Sequence, residues 1–322
     1  MNTVGRQVSP RRVELGLFLP IVQPINRQPW EDAASPAVVL DIARHAESVG
    51  LDFVTVQDHG AIAAPELASY GSARFYDPMV LLGFLAAGTE RLRLATHVIQ
   101  LHLRSPLVTA KALATADVVS GGRLIAGFGV GSRDYEARAA RVPFDRRGSV
   151  ADDYLRAIIA LWSGEPTTYH GPWADFDDLI CAPAPAQRPR PPLWIGGNRP
   201  VGLRRALRLA DAWVPWNVTP AHIQSTLRAV TDGYGLAAPD DFRIVVSWAP
   251  LGGRGPRGEP PPPYRKPGPA EIDRCVDELG HWLQAGATDF VLDLPAPSRR
   301  SLIESLDWIG SELAPAAGLT RT

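Results

Sequence analysis

The sequence predicts an α/β barrel of eight parallel strands alternating with helices, and three observations predict it. Strand and helix signals alternate eight times along the 322 residues. The segment LRLATHVIQLHLRSPLVTAKALATADVVSGGRLIAGFGVG, residues 92–131, reads as strand, capped helix, Gly-Gly turn and strand. A βαβ unit that compact requires parallel pairing. The first strand ends in Leu19-Pro20, without the glycine fingerprint that usually follows the first strand of a doubly wound dinucleotide fold. A single (β/α)8 TIM-barrel domain spanning 1–322 is the expectation.

The elements follow in order. Val13 to Leu19 is the first strand. Ser35 caps a helix with Pro36 in its first turn and Gly50 closing it, and Val39, Ile42, Ala43, Ala46 and Val49 form its apolar face at helical spacing. Asp52 to Val56 is the second strand, and Asp77-Pro78 opens a helix ending near Gly88. The third strand covers Leu92 to Leu101, the next helix Ser105 to Val119, and the fourth strand Arg123 to Val130. A fourth helix from about Ser149 to Trp162 stops at Gly164. Seven prolines between Glu165 and Pro192 cannot supply ladder donors or a helix interior. This insertion between the fourth helix and the fifth strand, residues 165–192, therefore reads as an irregular surface excursion. Strands at Leu193 to Ile195, Ala212 to Trp216, Phe242 to Trp248 and Thr288 to Leu294 complete the set. Their helices are Val201 to Ala210, Pro220 to Tyr234, Ala270 to Ala285 and Arg299 to Leu313. Gly252 to Pro269, rich in glycine, proline and arginine, reads as a lid loop.

Composition narrows the function. A hydrophobic share of 45% with 21% charged residues supports a sizeable core. A net charge of −1 gives no electrostatic reason to expect nucleic acid or an anionic membrane as partner. No apolar run approaches the roughly 20 residues needed to span a bilayer. The apolar run near the N-terminus is too short and proline-terminated for a signal peptide. Cys181 and Cys275 stand far apart, which fits free thiols in the cytoplasm. No His, Cys, Asp or Glu spacing suggests a metal. Only Lys111 and Lys266 are lysines among the 33 basic residues, a bias of genome composition rather than of chemistry.

In a barrel the active site lies at the C-terminal strand ends. Asp58 and His59 follow the second strand, where an imidazole beside a carboxylate exchanges protons near neutral pH, or merely ties down a turn. His97 stands late in the third strand and either faces the pocket or finds a partner in the core. His102 and Arg104 lie just beyond it. The loop from Gly127 to Arg133 carries glycines at 127, 129 and 131 after a strand, and Gly196-Gly197-Asn198-Arg199 repeats the arrangement. Together they suggest backbone amides converging on one phosphate, with Arg133 or Arg199 completing the site. Phe18, Trp216 and Trp248, at the ends of the first, sixth and seventh strands, are candidate walls for a substrate or a flat ring.

The ordered motifs GLFLP, VQDHG, LATHVIQLHLRSP, SGGRLIAGFGVGSRDYEA, VPFDRRG, LWSGEP, PLWIGGNRP and ADAWVP resemble the luciferase-like monooxygenase family, from about Val13 to Trp216. That resemblance implies a TIM barrel binding coenzyme F420 or FMN. It implies that His59 is the active-site histidine and Asp58 its acidic neighbour by the cofactor ring. It assigns Thr96, His97 and Val98 to a bulge under that ring, with a cis peptide at His97–Val98. It assigns Gly129, Val130, Gly131, Gly196, Gly197, Asn198 and Arg199 to phosphate-binding loops. Two departures accompany it: Gly129-Val130-Gly131 stands where the deazaflavin dehydrogenases carry a catalytic glutamate, and position 97, usually small, is histidine. The resulting expectation is F420-dependent hydride transfer to or from a small organic substrate, foremost reduction of C=C or C=N with His59 or His97 delivering the proton, in a homodimer. An FMNH2-dependent monooxygenase and a non-catalytic flavin-binding barrel are the alternatives.

Overall fold

The computed structural model describes residues 12–20, 28–70, 72–252, 267–294 and 296–319. Eight parallel strands close into a barrel: β1 Leu15–Phe18, β2 Phe53–Val56, β3 Arg93–Thr96, β4 Leu124–Gly129, β5 Leu193–Gly196, β6 Ala212–Val214, β7 Arg243–Trp248 and β8 Asp289–Leu292. Closure runs through β1 beside β8, with Gly16 opposite Val291, and through β3 beside β4, with Leu94 opposite Leu124. Because successive strand residues face opposite sides, each strand splits its apolar residues between two cores. Phe18, Phe53, Ala95, Ile125, Trp194, Val245 and Val291 fill the barrel interior. Their neighbours Leu17, Val54, Leu94, Val246 and Phe290 pack outward against the helices. Gly16 is dictated by this interior, since a Cβ there would lie 2.0 Å from the Phe53 ring.

Three features of the structure differ from the sequence reading. The expected strand Leu92 to Leu101 is interrupted: the His97–Val98 peptide is cis, as the family resemblance implies, but only Ile99–Gln100 pair again beyond it, and a 3-10 turn covers Leu101–Leu103. The insertion is less irregular than expected, because Thr167–His170 and Asp175–Leu179 form an antiparallel hairpin. Pro172 falls in its turn and the other prolines fall outside it, so both hairpin strands keep their ladder donors. Short helices Pro29–Ala33, Leu67–Tyr70 and Asp134–Ala139 also appear inside loops. The expected lid coincides almost entirely with residues 253–266, outside the described residues.

Among the described residues no helix is long and apolar enough to cross a membrane. Both cysteines are free and buried.

Candidate active site

A cavity of about 430 Å3 opens at the C-terminal strand ends, within the size range of small-molecule sites. It is lined by the loop after β2 (Gln57, Asp58, His59), the segment after β3 (His97, Val98, Gln100), and the loop after β4 (Gly129 to Arg133). Gly196, Gly197, Val214 and Trp216 line it from β5 and β6, and Tyr70 closes a side.

The interruption after β3 turns His97 into this space. Its ring meets Phe18 edge-on at 4.9 Å and Trp216 at 5.9 Å, and Phe18 meets Trp216 at 5.2 Å, so three rings form one flank. Burial holds the His97 imidazole neutral, with its pKa pushed down to about 4, and Nε2 has no hydrogen-bond partner.

Asp58 is a fixed buried acceptor. Its carboxylate is ion-paired with Arg104, its Oδ2 accepts the Gln100 backbone N–H at 3.0 Å, and its carbonyl accepts Gln100 Nε2 at 2.8 Å. Burial raises the Asp58 carboxyl above its ordinary value against the opposing pull of Arg104, while Oδ1 stays without a partner. Arg104 is thus neither a solvated charge nor a free anion contact; it spans Asp58 and, at 2.7 Å, Asp77. His59 lies beside Tyr70 and Phe75, with Nδ1 3.5 Å from Glu136 Oε1.

The glycines have separate tasks. A Cβ at Gly127 would lie 2.0 Å from the Thr96 carbonyl oxygen, and one at Gly129 would lie 2.6 Å from Val98 Cγ2. These two therefore let the segment after β3 seat against β4. Gly131 has φ +74°, and a Cβ there would fall 2.1 Å from His102 Cε1. Arg133 brings a cation to the rim, above the Tyr70 ring and ion-paired with Glu66 at 3.5 Å.

Several expected site residues turn elsewhere. Thr96 Oγ1 donates to the Gly127 carbonyl and accepts the Gly127 N–H, both at 2.8 Å, and so joins two strands rather than lining the cavity. Asn198 clamps the backbone of Trp216 through both ends of its amide, at 2.7 and 2.8 Å. Arg199 is exposed outside the lining. Trp248 is excluded as a cavity wall: the strand alternation turns it outward, into the layer beneath the helices, against Phe290 at 5.5 Å. Phe18 reaches the site only through its ring contacts with His97 and Trp216.

The residues that sequence reasoning missed are Gln100, Tyr70 and Glu136. A glutamate in the first turn of a short helix normally reads as a complement to the helix dipole, which gives no hint of burial. Only the fold brings Glu136 under the loop after β2.

The luciferase-like monooxygenase profile matches residues 13–251, and the chain belongs to that family of flavin-dependent oxidoreductases and monooxygenases. An uncharacterized protein of Mycobacterium tuberculosis is 29% identical over 286 residues, 84% of this chain and 92% of the relative. Among solved structures, an F420-dependent secondary alcohol dehydrogenase bound to an F420–acetone adduct superposes with a TM-score of 0.73 at 17% identity, covering 95% of this chain and 99% of its own. A type II Baeyer–Villiger monooxygenase from Pseudomonas putida, in complex with FMN, gives 0.71 at 17% identity, covering 95% and 98%. At such identities these two share the fold.

Proposed function

We propose that this protein binds coenzyme F420 in the barrel mouth and transfers hydride to a small organic substrate, reducing a C=C or C=N bond. The observation that carries this reading is the Asp58–His59 pair at the cavity, with Asp58 held by Arg104 and Gln100 and His59 packed on Tyr70 and Phe75 with one weak polar contact, to Glu136. The surrounding residues fit the cofactor. Gly129 to Ser132, Gly196 and Gly197 line the cavity with little side-chain bulk and Arg133 stands at the rim, a setting for a phosphate. The rings of Phe18, His97 and Trp216 offer a flank for a flat heterocycle. His97 Nε2 and Asp58 Oδ1, buried and unpartnered, are available to its polar edge.

When bound, coenzyme F420 supplies the hydride. The chain's own residues align donor and acceptor in the mouth, and the aromatic flank limits water. His59 holds the proton that accompanies reduction. His97 is poorly matched to that task, because an imidazole that stays neutral down to about pH 4 lacks the acidic imidazolium proton near neutrality.

Anaerobic titration of the apoprotein, followed by tryptophan fluorescence, tests the reading: reduced F420 should bind selectively over reduced FMN. In His59→Ala the cofactor should still bind while turnover falls about 100-fold or more; unchanged turnover would remove His59 from the mechanism. The water-poor aromatic flank also supports a second reading, FMN-dependent oxygenation. Selective binding of reduced FMN, with oxygen consumption coupled to product formation, would establish that instead.

A further inference from the structure

We propose that Glu136 is the positioning residue for His59: its carboxylate accepts the Nδ1–H of the imidazole, fixing the tautomer and leaving Nε2 for the reacting partner. The proposal rests on the reading of His59 as the proton-holding group.

The placement of Glu136 is unusual for its local sequence. It occupies the first turn of helix Asp134–Ala139, yet only 3% of it is exposed. Its Oε1 is a point of convergence, accepting the Gly60 N–H at 3.1 Å and Gln100 Nε2 at 3.4 Å, with His59 Nδ1 at 3.5 Å. The loops after β2, β3 and β4 thus meet at one oxygen. A contact of 3.5 Å is long for a hydrogen bond, but catalytic contacts commonly tighten only when the site fills.

Charge distinguishes positioning from simple loop tying. Gly60 and Gln100 are neutral donors, which a neutral glutamine at position 136 would satisfy equally well. Burial pushes the Glu136 carboxyl up, but contacts from His59, Gln100 and Gly60 outweigh it and hold the group below the usual carboxylate range, so it is an anion near neutral pH. Among the described residues no arginine or lysine forms an ion pair with it. Arg104 is committed to Asp58 and Asp77, and Arg133 to Glu66 and Tyr70. Arg147 donates to the carbonyls of Gly131 and Phe144. His102, the other imidazole facing Glu136, is driven toward its neutral form by burial, and both its ring nitrogens lack partners. Tyr70 packs against the His59 ring, and burial together with the neighbouring carboxylates pushes the Tyr135 phenol up, so Tyr135 stands as a neutral phenol. Of the ionisable side chains around this buried anion, among the described residues, His59 is the one whose ring nitrogen approaches the carboxylate at ion-pair distance, 3.5 Å.

The test uses the full chain with 15N-labelled histidine, reading the His59 tautomer by NMR in wild type, Glu136→Ala and Glu136→Asp. Wild type should show the Nδ1–H tautomer, alanine should lose that preference, and aspartate should restore it in part. Glu136→Gln keeps an acceptor and removes the charge. Its pH–rate profile should have the alkaline limb moved about one pH unit lower, with F420 affinity within about twofold of wild type, because no cofactor contact has changed. An Nε2–H tautomer in wild type overturns the proposal without any variant, and so does an unchanged tautomer in folded Glu136→Ala or an unchanged profile in Glu136→Gln. If the tautomer follows Glu136 while His59→Ala turns over normally, the contact stands and the assignment of His59 is what fails.

Discussion

At the scale of single residues, His97 couples the cavity to stability. In the unfolded chain its imidazole takes up a proton near the ordinary value of 6.5, whereas in the fold burial defers this to about pH 4. As the pH falls between those values, the unfolded chain binds a proton that the folded chain refuses. Stability is therefore full above pH 6.5 and declines toward pH 4, by about 3 kcal/mol in all. Urea unfolding of wild type and His97→Phe, compared at pH 7 and pH 4, checks this. The advantage of wild type over the variant should shrink, or its deficit grow, by that amount on acidification. Parallel curves would mean that the imidazole is protonated in the folded state.

At the scale of elements, the glycine loop after β4 is as much a packing device as a ligand loop. Gly127 and Gly129 accommodate Thr96 and Val98, so the segment that carries His97 into the cavity depends on two missing side chains in the neighbouring strand. Gly131 and Gly121 both adopt positive φ, +74° and +67°, but a Cβ at Gly121 would meet nothing within 4 Å, whereas one at Gly131 would collide with His102. Gly121→Ala should cost about 1 kcal/mol of backbone strain. Gly131→Ala adds the clash and should cost roughly 2–4 kcal/mol, with weaker cofactor binding. Denaturation midpoints of the two variants separate conformational strain from the steric role; equal losses would dismiss the His102 contact.

At the scale of the whole molecule, the N-terminal end of the barrel carries a charged network beside its apolar interior. Asp289 at the start of β8, only 1% exposed, accepts the Glu14 N–H at 2.9 Å and is ion-paired with Arg243 of β7. Arg93 reaches Glu14 at 3.0 Å from β3. Strands from both sides of the β1–β8 junction thereby share one network. Arg243→Ala would leave a buried carboxylate without its cation and should cost about 3–5 kcal/mol, read as a lower urea midpoint. The cavity lies at the opposite end, so substrate KM should change little in protein that remains folded.

The alternation of strand and helix signals was legible in the sequence because period-2 and helical apolar spacings are local properties, and the absence of a glycine fingerprint after the first strand favoured a closed barrel over a doubly wound sheet. The Asp58–His59 pair and the two glycine clusters were legible because they sit immediately after strands. Other features depended on contacts distant in the chain. Leu92 to Leu101 reads as one continuous strand, and only packing against Gly127 and Gly129 goes with its interruption. Trp248 and Trp216 look equivalent at strand ends, yet alternation within β7 faces Trp248 to the helices, whereas Trp216 lies beyond the end of β6, its backbone clamped by Asn198 at the cavity. Asn198 and Arg199 follow a glycine pair that lines the cavity, but the turn into helix Pro200–Leu209 carries them out of it. Glu136 and His59 are 77 positions apart, and no local pattern joins them. Spacing along the chain encodes the repeating units and the strand ends that carry polar chemistry, so both can be read before any fold is known. Tertiary structure decided which of those groups meet, because burial, ion pairing and steric room arise only when distant segments share the same space.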